Sequence, residues 1–217
     1  MRYRTEGGFC LVSHTRVGPG SVAAFPSRTT CSGSTSSHAI RSRRNSVIPQ
    51  RSTPAPTQRL TFREMTVDDL DDMASLLGDP EVMRYYPRPR TRDEALGWIE
   101  WSRRLYAAHG HGLWLITLQD TGEFVGNCGL TVQNVEGAIQ VEIGYLVRAD
   151  LQGNGYATEA ATACCDHARD VLRLDRLIAI INPGNRPSQR VAEKLGLALE
   201  RSATWNDQKV SIYAGTI

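Results

Sequence analysis

Residues 152–158, Gln-Gly-Asn-Gly-Tyr-Ala-Thr, set two glycines one residue apart at the mouth of a helix-like run. A helix N-terminus carries unpaired backbone N–H groups and the positive end of the helix dipole, and Gly153 and Gly155 let that backbone approach an anion without Cβ obstruction. The pattern suits a phosphate cradle and equally fits an ordinary turn. It is not a P-loop, which needs a Lys, nor a dinucleotide turn, because Thr158 stands where the third glycine belongs. Ten residues upstream, Glu142 interrupts an apolar run of Val141, Ile143, Tyr145 and Val147. A partly buried carboxyl has a raised pKa and can move protons near neutrality. Strict alternation would instead place it on a solvent face with Gln140, Gly144 and Leu146. His109 and His111 lack a third ligand and read as a loop, and no metal site is expected. The cysteines at 10, 31, 128, 164 and 165 match no zinc or C-x-x-C spacing, and the adjacent pair reads as small buried apolar residues.

These residues need elements to hold them. Leu60 and Phe62 alternate with polar neighbours as in a half-buried strand. Thr66 opens a capping box with Asp69, and Leu70, Met73, Ala74 and Leu77 follow at helical spacing before Gly78-Asp79-Pro80 stops the chain. Thr91 with Glu94 opens a second helix, with Ala95, Trp98 and Leu105 on its apolar face. Strands are predicted at "GLWLITL" and "EFVGNCGLTV", joined by the Asp120-Thr121-Gly122 turn, and again over 139–147. A helix over 157–172, the strand "RLIAIIN", a helix "RPSQRVAEKLG" ended by Gly196, and strands "LALERSA" and "KVSIYAG" complete the chain. The mixed order predicts an α/β (α+β) domain, one sheet with helices on both faces.

The 217 residues divide by charge. Residues 1–58 hold eight Arg, no Lys and one acid, Glu6, a formal +7, which leaves the remainder at −5 against a whole-chain +2. The first part is rich in Arg, Ser and Pro and has no apolar period, so it reads as a disordered extension, with 59–217 as the domain. An inert or mis-assigned start, a transit peptide and a nucleic-acid-binding arm are alternatives for it. No stretch reaches the ~18 apolar residues of a membrane span and no signal h-region is evident, so a cytoplasmic location with no membrane partner is expected.

Four separated elements agree in order and spacing: Gln152-x-x-Gly155-x-Ala157, the preceding Glu142-Ile143-Gly144-Tyr145-Leu146-Val147, and, beyond a helix and a strand, Asn185-Arg186-Pro187-Ser188 and "EKLGL". Over about residues 59–217 this resembles the acetyl-CoA-binding core of the GNAT superfamily of N-acyltransferases, most closely the Rim-type ribosomal-protein N-terminal acetyltransferases. The resemblance implies a mostly antiparallel, splayed sheet of about seven strands. It implies that Gln152, Gly153, Asn154, Gly155, Tyr156, Ala157 and Thr158 hold the pyrophosphate of acetyl-CoA, with Ile143, Tyr145, Leu146 and Val147 along the pantetheine arm. Asn185 and Ser188 would sit near its thiol, although Asn185 also reads as a plain N-cap.

Direct transfer to an amine needs a neutral nucleophile, and the resemblance makes Glu142 the base. The oxyanion would take a backbone N–H near Ile143 or Tyr145. Many members carry a Tyr in the last helix where this chain has Ala192, so Ser188 is the candidate donor to the departing thiolate. Tyr85, Tyr86, Trp98 and Trp101 could line an acceptor groove, with Trp98 favoured as core. The acceptor is a protein N-terminus or a small-molecule amine, the latter of antibiotic or polyamine type. A non-catalytic CoA-binding relative is the competing reading, nucleic acid enters only through the basic tail, and a homodimer is left open.

Overall fold

The computed structural model describes residues 4–6, 9–11 and 52–217. Two short strands, β1 (Arg4–Glu6) and β2 (Phe9–Leu11), pair antiparallel. A separate, main sheet and its helices run β3 (Leu60–Arg63), α1 (Leu70–Gly78), α2 (Arg92–His109), β4 (Leu113–Leu118), β5 (Phe124–Val135), β6 (Ala138–Val147), α3 (Tyr156–Asp170), β7 (Arg176–Ile181), α4 (Arg186–Lys194), β8 (Ala198–Trp205) and β9 (Gln208–Thr216). The seven strands from β3 onward order as β3-β4-β5-β6-β7-β9-β8. All neighbours in that sheet are antiparallel except β6 and β7.

Local chemistry sets the element ends. The Thr91 hydroxyl accepts the Glu94 N–H at 3.3 Å while the Glu94 carboxylate accepts the Thr91 N–H at 2.8 Å, so the capping box starts α2 where expected. Gly110, at φ 76°, ends it in the left-handed conformation. At the β5–β6 hairpin Glu136 and Gly137 both take positive φ, 52° and 89°, which matches a tight turn to the twist of its strands.

The sheet separates two apolar layers. On one face Ile143, Val147, Leu177, Ala179 and Ile181 pack against Ala160, Ala161, Cys164 and Ala168 of α3 and Ala192 of α4. On the other, Leu113, Leu115 and Phe124 pack with Met73, Leu76 and Leu77 of α1 and Trp98, Trp101 and Leu105 of α2. Each large side chain so buried contributes about 1.5–3 kcal/mol. Trp98 is core, as its position suggested, and the adjacent Cys164 and Cys165 are buried free thiols.

The ordered unit begins ahead of residue 59. Pro54 is buried, the Ser52 hydroxyl lies 3.3 Å from His167 Nε2, and the Thr57 hydroxyl donates to Glu159 at 2.6 Å, so residues 52–58 run along α3. Apart from these and the β1–β2 pair, the expected disordered extension over 1–58 lies outside the described residues, and with it the nucleic-acid-binding arm. Among the described residues no helix is long and apolar enough to cross a membrane.

Gly126 shows how tightly β5 and β6 approach, because a Cβ built there would run into the Leu146 carbonyl oxygen. Gly126→Ala is therefore expected to lower the thermal midpoint strongly, by several degrees or more, while Gly122→Ala in the exposed β4–β5 turn costs only about 1 kcal/mol of left-handed strain. Thermal unfolding followed by circular dichroism measures the contrast, and equal midpoints for the two variants would contradict this packing.

Candidate functional site

β6 and β7 meet at a single register pair, Glu142 with Ile178. Each continues past that point with another partner: β6 stays paired to β5 as far as Val147, and β7 stays paired to β9 as far as Ile181. The two strands therefore fork. Arg148 N–H donates to Val125 O at 2.9 Å on the β5 side, and since peptide groups alternate along a strand, those of Tyr145 and Val147 face into the fork. A cleft at the fork is lined from both faces of the sheet, by Tyr145, Asn185 and Ser188 on the α3–α4 side and by Glu142, Tyr86 and Trp98 on the α1–α2 side. It passes through the sheet.

Glu142 sits at the fork point. Its Oε2 accepts from the Thr131 hydroxyl at 3.0 Å and from Gln133 Nε2 at 2.9 Å, both on the facing strand β5. Burial pushes its carboxyl up to about 7, against the opposing pull of those two hydrogen bonds and of the Ile180 backbone N–H. In place of the solvent-facing alternative, Glu142 is half-buried in the cleft, which Tyr86, Trp98 and Trp101 also line. Tyr86 responds in turn: burial and then the nearby Glu142 charge push its hydroxyl up to about 12.

The glycine turn lies at the far end of β6, exposed, outside the cleft lining. Gly153 and Gly155 take φ of 81° and 84°, and Gly155 is the N-cap of α3, one residue earlier than the sequence placed the helix. Gln152 Nε2 donates to Val147 O at 3.1 Å, tying the turn to the strand, and Asn154 Nδ2 donates to Leu151 O at 3.1 Å. Tyr156, Ala157 and Thr158 form the first turn of α3, where N–H groups have no intrahelical acceptor.

Arg59, which sequence reasoning did not single out, holds this turn from outside. Its guanidinium donates to Asn154 O at 3.0 Å, pairs with Glu159 at 2.6 Å and stacks 4.5 Å from the Tyr156 ring centroid. Burial disfavours the Glu159 charge, but the Thr57 hydroxyl and Arg59 outweigh it and hold that carboxyl below its usual range.

At the start of α4, Asn185 Oδ1 accepts the Ser188 N–H at 3.1 Å, so Asn185 is the N-cap, and both residues also line the cleft. The Tyr145 hydroxyl donates to Ser188 O at 2.9 Å and spans the fork. Ala192 is fully buried in the α3–α4 core. Of the expected site residues, Glu142, Ile143, Tyr145, Asn185 and Ser188 converge on the cleft, Leu146 packs toward α1 and α2, and Val147 leads to the turn. Thr131, Gln133 and Trp205 line the cleft and were not foreseen. His111 is buried, with Nδ1 2.9 Å from Leu130 O, and among the described residues no cluster of three metal-ligating side chains exists.

A carboxyl whose folded pKa is raised stabilises the protein fully below its unfolded pKa of about 4.3, and the contribution is lost as pH rises toward 7. Glu142→Gln removes that loss. The variant is expected to melt higher than wild type at pH 8, with the difference shrinking toward pH 5; a constant difference across that range would show that Glu142 ionises freely.

The acetyltransferase (GNAT) domain family profile matches residues 59–198. Uncharacterized protein YkkB of Bacillus subtilis is 35% identical over 158 residues, 72% of this chain and 92% of that protein. A crystal structure of an acetyltransferase from Agrobacterium tumefaciens superposes with a TM-score of 0.66 at 28% identity, over 76% of this chain and 95% of that one. RimL, the ribosomal L7/L12 alpha-N-protein acetyltransferase solved in complex with coenzyme A, shares the fold with a TM-score of 0.63 at 18% identity, over 76% and 97%. With its forked seven-stranded sheet and its glycine turn at a helix start, the chain belongs to the GNAT acetyltransferase family and is an N-acetyltransferase.

Proposed function

We propose that this protein carries an acetyl group from acetyl-CoA directly to a primary amine while both are bound, one on each side of the β6–β7 fork. The observation that carries this reading is the cleft at the fork with Glu142 in its lining, poised near neutrality by burial. The chemistry of the turn fits the co-substrate. Two left-handed glycines and the first turn of α3 offer backbone N–H donors to a diphosphate, and the space beside Gly153 is open, with nothing within 4 Å of a Cβ placed there. RimL, of the same fold, was solved with coenzyme A.

In this reading Gln152 through Thr158 hold the diphosphate, and Arg59 keeps their turn in shape. Peptide groups of Tyr145 and Val147 receive the pantetheine amides as a neighbouring strand would, with Ile143 and Leu146 setting the strand's two faces and Asn185 and Ser188 at the thiol end. Acetyl-CoA supplies the activated thioester. The Glu142 carboxylate takes one proton from the incoming ammonium and releases it to solvent. The freed nitrogen lone pair then bonds the acetyl carbon as the carbon–sulfur bond breaks, and the second amine proton goes to the departing sulfur. Ser188 is the donor placed to steady that sulfur; Ala192, at the position of the family's tyrosine, has no proton to give.

The test is calorimetric titration of acetyl-CoA into the whole chain beside Gly155→Glu, followed by turnover of wild type and Glu142→Gln. Wild type is expected to bind and Gly155→Glu to lose binding while keeping its circular dichroism spectrum. Glu142→Gln is expected to bind normally and to lose about 10²–10⁴-fold in turnover. As a base works ionised, wild-type kcat/KM should rise with pH and level off above about 7, and this inflection should vanish in Glu142→Gln. A wild type that binds no acetyl-CoA removes the proposal, and unchanged turnover in Glu142→Gln removes the base.

A further inference from the structure

The chemistry of the acceptor side of the cleft is unusually one-sided. Three of the chain's four tryptophans, Trp98, Trp101 and Trp205, line it, together with Tyr85 and Tyr86. Trp98 and Trp101 form a buried floor, their rings edge to face with centroids 6.3 Å apart. Tyr85 and Tyr86, from the segment between α1 and α2, and Trp205, at the β8–β9 turn, remain partly exposed. Asn182 Nδ2 donates to Tyr85 O at 3.3 Å and so ties this segment to the end of β7.

Charge is nearly missing from the same surface. Among the described residues that line the cleft, Glu142 alone can carry one; the other polar groups, such as Thr131, Gln133, Asn182, Asn206 and Gln208, are neutral. The guanidinium of Arg90, close enough to act on the Tyr86 hydroxyl, is not part of the lining; it lies 3.6 Å from Glu94, which it shares with Arg88. One ammonium is accommodated there: Glu142 receives its proton, and the aromatic faces attract it on approach. A second ammonium, or a carboxylate, carried into the cleft would be desolvated with no partner of opposite charge among the described residues that line it.

From this we infer that the acceptor is a monoamine with an uncharged apolar or aromatic body, and not a polyamine, an aminoglycoside or an amino acid with a free carboxylate. The inference rests on the acetyl-transfer reading above and narrows its acceptor. Trp205 and Tyr86 are the residues that recognise the body, Trp98 and Trp101 form the floor beneath it, and Glu142 receives the amine end.

The experiment measures CoA release by the whole chain with acetyl-CoA and, separately, 2-phenylethylamine, spermidine, kanamycin, phenylalanine and a peptide with N-terminal alanine. The expected result is a kcat/KM for 2-phenylethylamine at least tenfold above every other acceptor. Trp205→Ala and Tyr86→Ala should each raise the KM for 2-phenylethylamine severalfold and leave acetyl-CoA binding unchanged. Preference for spermidine, kanamycin, phenylalanine or the peptide overturns the inference, as do unchanged KM values in both folded variants. If calorimetry shows acetyl-CoA bound but none of these amines is acetylated, the acceptor inference falls and the co-substrate reading stands; if acetyl-CoA does not bind, both fall.

Discussion

Two parallel strands cannot be joined by a hairpin. That constraint acts once in the main sheet, between β6 and β7, and much of the site follows from it. The crossover that joins them has to leave the end of β6, pack a helix on one face and return, so the N-terminus of α3 necessarily lies near the mouth of the gap between the two strands. Because they hydrogen-bond at one register pair only, their carboxyl ends part, leaving a crevice of the kind that open α/β sheets offer at such a point. Slot and cradle are thus two results of one topological choice, and the glycines make the second of them accessible.

Two glutamates flank this arrangement and show how environment, more than residue type, sets charge. Glu142 is surrounded by neutral donors and aromatic rings, so loss of water dominates and its proton is held more tightly. Glu159 loses water as well but faces Arg59, and its proton is held less tightly. The first can exchange a proton near neutrality. The second is a fixed anion that orients a guanidinium over a turn, and the difference follows from the Thr57 hydroxyl and the Arg59 cation beside it.

Much of this was legible in the sequence. Alternation, capping boxes and turn residues located the strands and helices to within a few positions, and Gly-x-Gly at a helix start marked the turn, because these signals are local. The register of β5 on β6 was also within reach. Glu136-Gly137 is a hairpin turn, and counting back from it places Gln133 opposite Gln140 and Thr131 opposite Glu142, which would have exposed the partners of Glu142. Arg59 and Trp205 were not legible in this way. One reaches a turn about a hundred residues later in the chain and the other comes from the last hairpin, so only three-dimensional packing brings them to the site. The packing of residues 52–58 along α3 was not legible for the same reason: nothing local in Ser52–Gln58 signals that α3 will be there to receive it.

The clamp made by Thr57 and Arg59 has a consequence for how the molecule comes into being. Its contacts to Asn154 and Glu159 span separations of 95 to 102 residues. A chain emerging from the ribosome therefore presents the clamp about a hundred residues before the groups it holds. Contacts of such sequence separation raise the contact order, the property that slows the folding of a domain. The shape of the turn thus depends on a segment made about a hundred residues earlier and is not set by its own local sequence.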